Sequence, residues 1–498
     1  MGLTIYNSLT RNKDPFVPMQ EGHIGIYVCG PTVYDLSHIG HARVYVAFDT
    51  IVRFLRTQVA KVTYVRNYTD VDDKIIARAQ RESLSAGDVA EHNIKEFQHD
   101  MQSLGVLPAD VEPKVTEHID EVVAICKTLI DAGQAYSVSG DVYYAVEKFA
   151  EYGKLGRRSL EDMEAGIRVD INSQKRHPMD FVLWKAAKPG EPAWEAPWGR
   201  GRPGWHIECS AMSQKYLGDT FDLHGGGRDL IFPHHENEIA QSEAALKKPY
   251  ARVWMHGGLV NINNEKMSKS LGNFFTIRQV LDKFDAQTLR YYLLTTHYRS
   301  PIHFSDAALK EAEARVLYCY RTLLRLEQAL GQDKAAPAAG AAPKGALPKK
   351  KTERQSRTEV LTTTEQRFVA AMQDDFNTPE ALGAIAQGLT AANDILDRPK
   401  DAAADKASLS AVWRDLLYCT GLLGLFGEPP AEAIRRIEQK QRDVRNIDAA
   451  AIEAELARRN QARAGKDFAT ADAIRRQLAE RGVEILDRPN NTSEWRLR

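Results

Sequence analysis

The chain has 498 residues, with 66 Lys+Arg against 67 Asp+Glu and a formal net charge of −1. So even a balance excludes a protein that holds nucleic acid by overall positive charge, and any phosphate contact must come from a local basic patch. Hydrophobic residues make up 43% and charged residues 27%, an ordinary composition for a soluble chain, and the length allows roughly two to four domains with real cores. Met1-Gly2-Leu3-Thr4-Ile5-Tyr6-Asn7-Ser8 lacks the apolar run of a signal peptide. No apolar run approaches about eighteen residues, so neither export nor a membrane span is expected. Cys29, Cys126, Cys209, Cys319 and Cys419 are too scattered for a disulfide scaffold, which points to a reducing, cytoplasmic location.

Along the chain, strand-like residues 24–29 lead through Gly30-Pro31 to a helix-like run at 42–55. A strand-like run at 61–68 and a helix-like run at 71–82 follow, the rhythm of the first half of a Rossmann-type sheet. From about 115 the rhythm breaks into a helix at 115–132, a hairpin at 136–146 and a Pro-, Gly- and Trp-rich loop over 185–204. This stretch reads as an insertion between the two halves of the sheet. The second half resumes near Gly204 and runs through a strand at 251–255. Helical periodicity then takes over at 276–284, 286–297 and 306–330. An Ala-, Pro- and Lys-rich stretch at 333–357 reads as a flexible linker or insertion. Helices return at 359–396 and 407–426, with helix-start punctuation at Asp375-Phe376-Asn377-Thr378-Pro379. The last segment is locally basic, with ten Lys+Arg against six Asp+Glu over 458–498.

Two short pieces carry chemistry when read as a pair. His38-Ile39-Gly40-His41 stands behind the first strand and opens the first helix, where a phosphate can approach the backbone and the positive helix end. Lys266-Met267-Ser268-Lys269-Ser270 lies 225 positions further on and offers mobile ammonium groups to the same phosphates. A third constellation joins Cys29, at the end of the first strand, to Cys209 and to the stretch His224-Gly225-Gly226-Gly227-Arg228-Asp229. With Pro233 as the first residue of a helix, His234 and Glu238 are four apart and share a face. Two thiolates, an imidazole and a carboxylate make a reasonable zinc site. The same residues also suit buried small hydrophobes and a surface hydrogen bond, and spacing alone does not decide between these readings.

The ordered pair His38–His41 and Lys266–Ser270 resembles the HIGH and KMSKS motifs of class I aminoacyl-tRNA synthetases. The stretch 204–243, with Cys29-Gly30-Pro31-Thr32-Val33-Tyr34 and Asn67-Tyr68-Thr69-Asp70-Val71-Asp72-Asp73-Lys74, resembles the cysteinyl-tRNA synthetases within that class. The resemblance implies ATP-dependent activation of L-cysteine to the adenylate, with transfer to the 3′ end of tRNA(Cys). It implies His38, His41, Lys266 and Lys269 as catalytic groups, and Gly40, Gly226, Gly227, Asp229 and Lys269 at ATP. Thr69, Trp205 and His224 are implied at the substrate. Cys29, Cys209, His234 and Glu238 are implied on one zinc ion, which the substrate thiolate joins, with Mg2+ accompanying ATP. Thiolate binding to zinc would separate cysteine from serine without an editing domain, and no unassigned stretch is long enough for one.

The implied fold is α/β: a Rossmann-type nucleotide-binding catalytic domain with an insertion, then an α-helical bundle and a small C-terminal anticodon-binding module. The expected division is 1–114 and 204–255 for the two halves of the catalytic domain, with 115–203 as the connective insertion. Residues 256–305 form the KMSKS and stem-contact region, 306–430 the bundle with its 333–357 insertion, and 431–498 the anticodon module. Arg475, Arg476, Asp487 and Trp495 are expected to meet tRNA bases there. The protein is expected to be a monomer. The runner-up readings are a ligase joining cysteine to an amino sugar, as in mycothiol synthesis, and a non-catalytic RNA-binding paralogue. The long helical tail argues against the first, and the intact motifs argue against the second.

Overall fold

The computed structural model describes residues 2–164, 174–262, 265–266, 274–331, 364–398, 402–487 and 493–497. A hairpin of β1 (Thr4–Asn7) and β2 (Asn12–Pro15) precedes the first central strand, β3 (His23–Val28). Then come α1 (Ile39–Gln58), β4 (Lys61–Arg66), α2 (Asp73–Glu82) and α3 (Ala86–Ser103). Nearly every residue of β3 is buried, as expected of a parallel strand covered on both faces.

The 115–203 region forms its own layer: α4 (Ile119–Asp131) against β5 (Ala135–Val138), β6 (Asp141–Tyr144), β7 (Phe181–Ala186) and β8 (Gly201–Pro203), with a short α5 (Leu160–Glu164). Its four antiparallel strands run in the order β5-β6-β7-β8. The 185–204 stretch therefore contributes the end of β7 and the whole of β8 where a loop is expected. Gly-Arg-Pro has no alternation to announce a strand, and its pairing rests on Trp184 and Trp198, which pack edge to face at 6.0 Å.

The chain then returns to the central sheet through α6 (Trp205–Leu217), β9 (Phe221–Gly227), α7 (Glu236–Leu246) and β10 (Ala251–Gly257). The order β10-β9-β3-β4 is all parallel. The chain winds outward in one direction from β3 and in the other from β9. The crevice beyond the carboxyl ends of these two strands is the topological switch point, where such sheets take their ligands.

Small strands β11 (Val260–Ile262), β12 (Glu265–Lys266) and β13 (Ile302–His303) pair in the order β12-β11-β13; α8 (Ile277–Leu281) and α9 (Ala286–Leu294) fall between β12 and β13 in sequence, and α10 (Asp306–Leu330) opens the bundle. Helices Thr364–Gln373, Thr378–Asp397, Ala402–Leu422 and Pro430–Val444 complete it. The 333–357 insertion lies outside the described residues. At the end, helices Ala449–Ala464 and Phe468–Glu480 pack on the hairpin Val483–Asp487 and Ser493–Leu497 through Ile452, Leu456, Ile474, Leu478, Val483 and Ile485.

One buried cation ties α1 to the bundle. Arg290 of α9 is fully buried and pairs with Asp49 of α1. It also donates to the carbonyls of Leu104 (3.0 Å) and Leu423 (2.7 Å). Gly424 makes room for it, since a Cβ there would lie 2.4 Å from the guanidinium and the backbone has φ +64°. Arg290→Met is expected to cost about 3 kcal/mol in chemical denaturation, because it strands Asp49 and two carbonyls. The figure sits at the low end for such losses because Arg53 remains 2.8 Å from Asp49.

Candidate active site

His38 caps α1, and its pairing with His41 is reciprocal. His38 Nδ1 accepts from the His41 amide and His41 Nδ1 accepts from the His38 amide, with the rings stacked at 3.8 Å. Both Nδ1 atoms are thus acceptors, so each neutral ring carries its proton on Nε2. The two rings line a cavity of about 560 Å3 at the switch point, together with Gly40, Thr69, Gly227 and Asp229. The segment beyond the lysine motif is stitched to the same helix end. Ile39 N donates to Phe275 O, Ile277 N donates to Ser37 O, and Phe274 meets the His38 ring edge-on. Lys269, and the side chain of Lys266, lie outside the described residues. The described residues on either side, Val260 and Phe274, both border the cavity.

The far wall is built by register. Tyr27 pairs with His224 and Val28 with Gly225, so Cys29 arrives beside the glycine run and its amide donates to Gly225 O. Gly30 must be glycine, because a Cβ there would sit 1.5 Å from Asn67 O. Cys29 Sγ stands 3.8 Å from Cys209 Sγ, 3.5 Å from His234 Nε2 and 3.5 Å from Glu238 Oε1. A tetrahedral ion with bonds of about 2.3 Å to sulfur and about 2.1 Å to nitrogen or oxygen requires about 3.8 Å between sulfurs and about 3.6 Å from sulfur to the others. The sulfur distances fit. His234 Nε2 and Glu238 Oε1 touch at 2.8 Å and would have to part slightly.

A second set, Cys29, His224, His235 and Glu238, overlaps the first. Geometry favours the first. Cys29, Cys209 and His234 border the cavity, whereas His224 and His235 are fully buried and absent from its wall. His224 is held on Glu238 Oε2 and His235 on His256 Nε2. His224, expected at the substrate, therefore stands behind Glu238. Gly226, expected at ATP, lies behind the wall formed by Gly227. Its Cβ would meet Leu230 and His235 rather than open space.

Electrostatics suit a cation. Burial alone would raise the Cys209 thiol, but hydrogen bonding from Cys29 and the nearby His234 bring it to about 7. Burial and the neighbouring Cys209 sulfur push the Cys29 thiol well up. Burial is outweighed at Glu238 by the surrounding histidines, which hold its carboxyl well below the usual range. At His234 burial is outweighed by Glu238 and Cys209, which raise the ring to about 10. A bound ion would displace that proton.

Beside this cluster, Trp205 stacks on the His234 ring at 4.4 Å and Thr69 Oγ1 donates to Glu208 Oε2 at 2.9 Å. His206 Nδ1 faces His234 Nδ1 at 3.0 Å and fixes that ring. The sequence leaves His206, Glu208 and His235 without a role. Asn67, which accepts from Gly30 N, could have been marked by its place two residues before Thr69. Pro233 does not begin the α-helix. Phe232 has extended backbone, and α7 starts at Glu236 after a wider turn over Ile231–His235.

In the C-terminal module, Arg475 and Arg476 lie exposed on helix Phe468–Glu480. Asp487 is engaged by Arg459 and Arg463 at 2.7 and 2.6 Å, which hold its carboxyl below the usual range. Trp495 donates to Glu453 at 2.6 Å.

A parallel sheet with a histidine-capped helix at its switch point, followed by a helical bundle, is the arrangement of the class I aminoacyl-tRNA synthetases, and comparison with known proteins places the chain in that class. The model for the class I (C) tRNA synthetase catalytic domain matches residues 15–314, that for the DALR domain 367–427, and that for the cysteinyl-tRNA ligase anticodon binding domain 449–496. Cysteine–tRNA ligases of Geotalea uraniireducens and Geobacter sulfurreducens are 50% and 49% identical, each over 100% of both chains. Methionyl-tRNA synthetase of Mycobacterium tuberculosis, solved with methionyl-adenylate, shares the fold with a TM-score of 0.58 at 16% identity, over 86% of this chain and 97% of that one. The chain belongs to the cysteinyl-tRNA synthetase family. No helix among the described residues is long and apolar enough to cross a membrane.

Proposed function

We propose that the chain activates L-cysteine with ATP and transfers it to the 3′ end of tRNA(Cys). One observation carries this reading: the cluster of two thiols, an imidazole and a carboxylate reaches, through Cys29, Cys209 and His234, the same cavity that His38 and His41 line. Cys29, Cys209, His234 and Glu238 would hold zinc, which when bound supplies a soft Lewis acid selective for a thiolate over a hydroxyl. Trp205 and Thr69 border the amino acid. Gly40, Gly227 and Asp229 border the nucleotide, and Mg2+ accompanies it.

The amino acid carboxylate attacks the α-phosphorus in line and pyrophosphate leaves. No protein nucleophile is needed; placement and charge stabilisation supply the rate. The Nε2–H groups of His38 and His41 donate to phosphate oxygens as charge builds. Lys269 and Lys266 follow the departing pyrophosphate. The terminal ribose hydroxyl of the tRNA then takes the cysteinyl group and AMP leaves.

In this reading residues 1–114 and 204–305 perform adenylation, 115–203 flank the acceptor end, and 306–430 and 431–498 reach the anticodon. Arg475 and Arg476 face the RNA there. Asp487 and Trp495 meet a base by exchanging the partners they hold within the module. The protein acts as a monomer in the cytoplasm. Charging of tRNA(Cys) with labelled cysteine tests the reading. Acid-stable adenylate without charged tRNA, together with transfer of cysteine to an amino sugar, would replace it with the amino-sugar ligase.

A further inference from the structure

The Asp375-Phe376-Asn377-Thr378-Pro379 run does more than open a helix. Asn377 caps helix Thr378–Asp397, its side chain accepting from Glu380 N. The two residues before it turn into the body of the protein. Asp375 and Phe376 are each 1% exposed, and both have left-handed backbone, φ +59° and +53°. Two successive residues with side chains in that region are uncommon and persist only where the surroundings over-determine them.

Here the surroundings do so. Asp375 N donates to Thr4 O at 2.9 Å, and Thr378 Oγ1 donates to Leu294 O at 2.8 Å. Phe376 meets Phe54 of α1 edge-on at 6.2 Å. The Asp375 carboxylate joins two further segments. Its Oδ1 accepts from Tyr6 N and from the Tyr298 hydroxyl, each at 2.9 Å, and its Oδ2 accepts from Arg299 Nε at 2.6 Å.

The turn that Asp375 grips supports one wall of the adenylation cavity. Tyr298 O accepts from Gly258 N at 2.7 Å, and Ile302 N donates to Leu259 O at 2.9 Å. Ser300 O passes so close that a Cβ on Gly258 would lie 2.1 Å from it. From α1, Arg43 holds the same turn, donating to Thr296 O and His297 O at 3.0 and 2.6 Å. Gly257, Gly258, Leu259 and Val260 border the cavity, and the β9–β10 register sets Gly257 beside Gly227. Cys29 and Thr69 follow β3 and β4, on the other side of the switch point.

We infer that Asp375 is a positioning residue for the nucleotide: through the Tyr298–Ser300 turn it sets the depth of the Gly258–Val260 wall, and so the fit of ATP rather than that of the amino acid. The inference rests on the adenylation reading above. It makes a carboxylate of the bundle part of how the catalytic cavity is shaped.

The test is Asp375→Asn, read by cysteine-dependent ATP–pyrophosphate exchange. Asparagine keeps the shape and one acceptor oxygen, but sets an amide NH2 against a guanidinium that needs an acceptor. KM for ATP is expected to rise about tenfold, with kcat and KM for cysteine within about twofold, as when uniform binding of one substrate is lost. Tyr298→Phe removes only the hydroxyl that meets Asp375 and carries the test if Asp375→Asn does not fold. It is expected to raise KM for ATP about threefold. An unchanged KM for ATP with a lowered unfolding midpoint would make Asp375 a structural joint and overturn the inference. So would KM values for ATP and cysteine that rise together, or a fall in kcat alone. Failure of the unmutated protein to exchange with cysteine would defeat the function reading instead. Equilibrium dialysis with ATP and no amino acid then still decides: a Kd about tenfold weaker in Asp375→Asn supports the inference, and an equal Kd overturns it.

Discussion

Cys209→Ser is expected to leave protein that exchanges pyrophosphate with cysteine on the order of 10³-fold more slowly and holds under about a tenth of an ion per chain. Cys209 lies on α6, 2% exposed, with its sulfur 3.8 Å from Cys29. A serine hydroxyl there stays protonated, is a hard ligand, and leaves three donors on a soft ion. The residual activity should have lost its preference for cysteine over serine, since an apolar pocket separates near-isosteres only weakly. The substitution also separates the two overlapping donor sets. Cys209 belongs to the one with His234 and not to the one with His224 and His235. Metal content by atomic absorption and exchange with each amino acid read both effects. Retained metal with retained selectivity would move the ion to the deeper set.

The second large effect is expected at the mouth of α1. His38→Asn should lower kcat for exchange about 10²- to 10³-fold, the loss typical of one preorganised donor to developing charge. KM for cysteine should hardly move, because in the proposed reading the ring meets the nucleotide and not the amino acid. Asparagine is itself a good N-cap, and its side-chain oxygen can replace His38 Nδ1 as acceptor for the His41 amide. The unfolding midpoint should therefore stay nearly constant, which separates the chemical role from the capping role. A midpoint falling in step with kcat would make His38 a structural residue.

How much was legible depended on whether the signal was local. Strand–turn–helix punctuation around Gly30-Pro31 and His38–His41 predicts the sheet and the helix mouth closely: the expected helix at 42–55 is Ile39–Gln58, and the strand at 24–29 is His23–Val28. Helix 306–330 is Asp306–Leu330. The gathering of Cys29, Cys209, His234 and Glu238 was not contained in spacing, because it is made by the β3–β9 register, and a family resemblance had to supply it. Depth was equally hidden. Nothing local says that His224 sits behind Glu238 while Trp205, two residues past a strand end, stays 39% exposed. Asp487 looked available for a base because its partners Arg459 and Arg463 come from another helix. The turn at Phe232 was missed because a proline there suits either a helix start or a bend.

The decisive experiment is ATP–pyrophosphate exchange on protein purified with its metal, run in parallel with cysteine and with serine. Rapid exchange with cysteine and essentially none with serine, abolished by chelation and restored by zinc, is the predicted result. Equal exchange with both amino acids, or cysteine exchange that survives complete removal of the metal, would contradict the assignment of selectivity to Cys29, Cys209, His234 and Glu238.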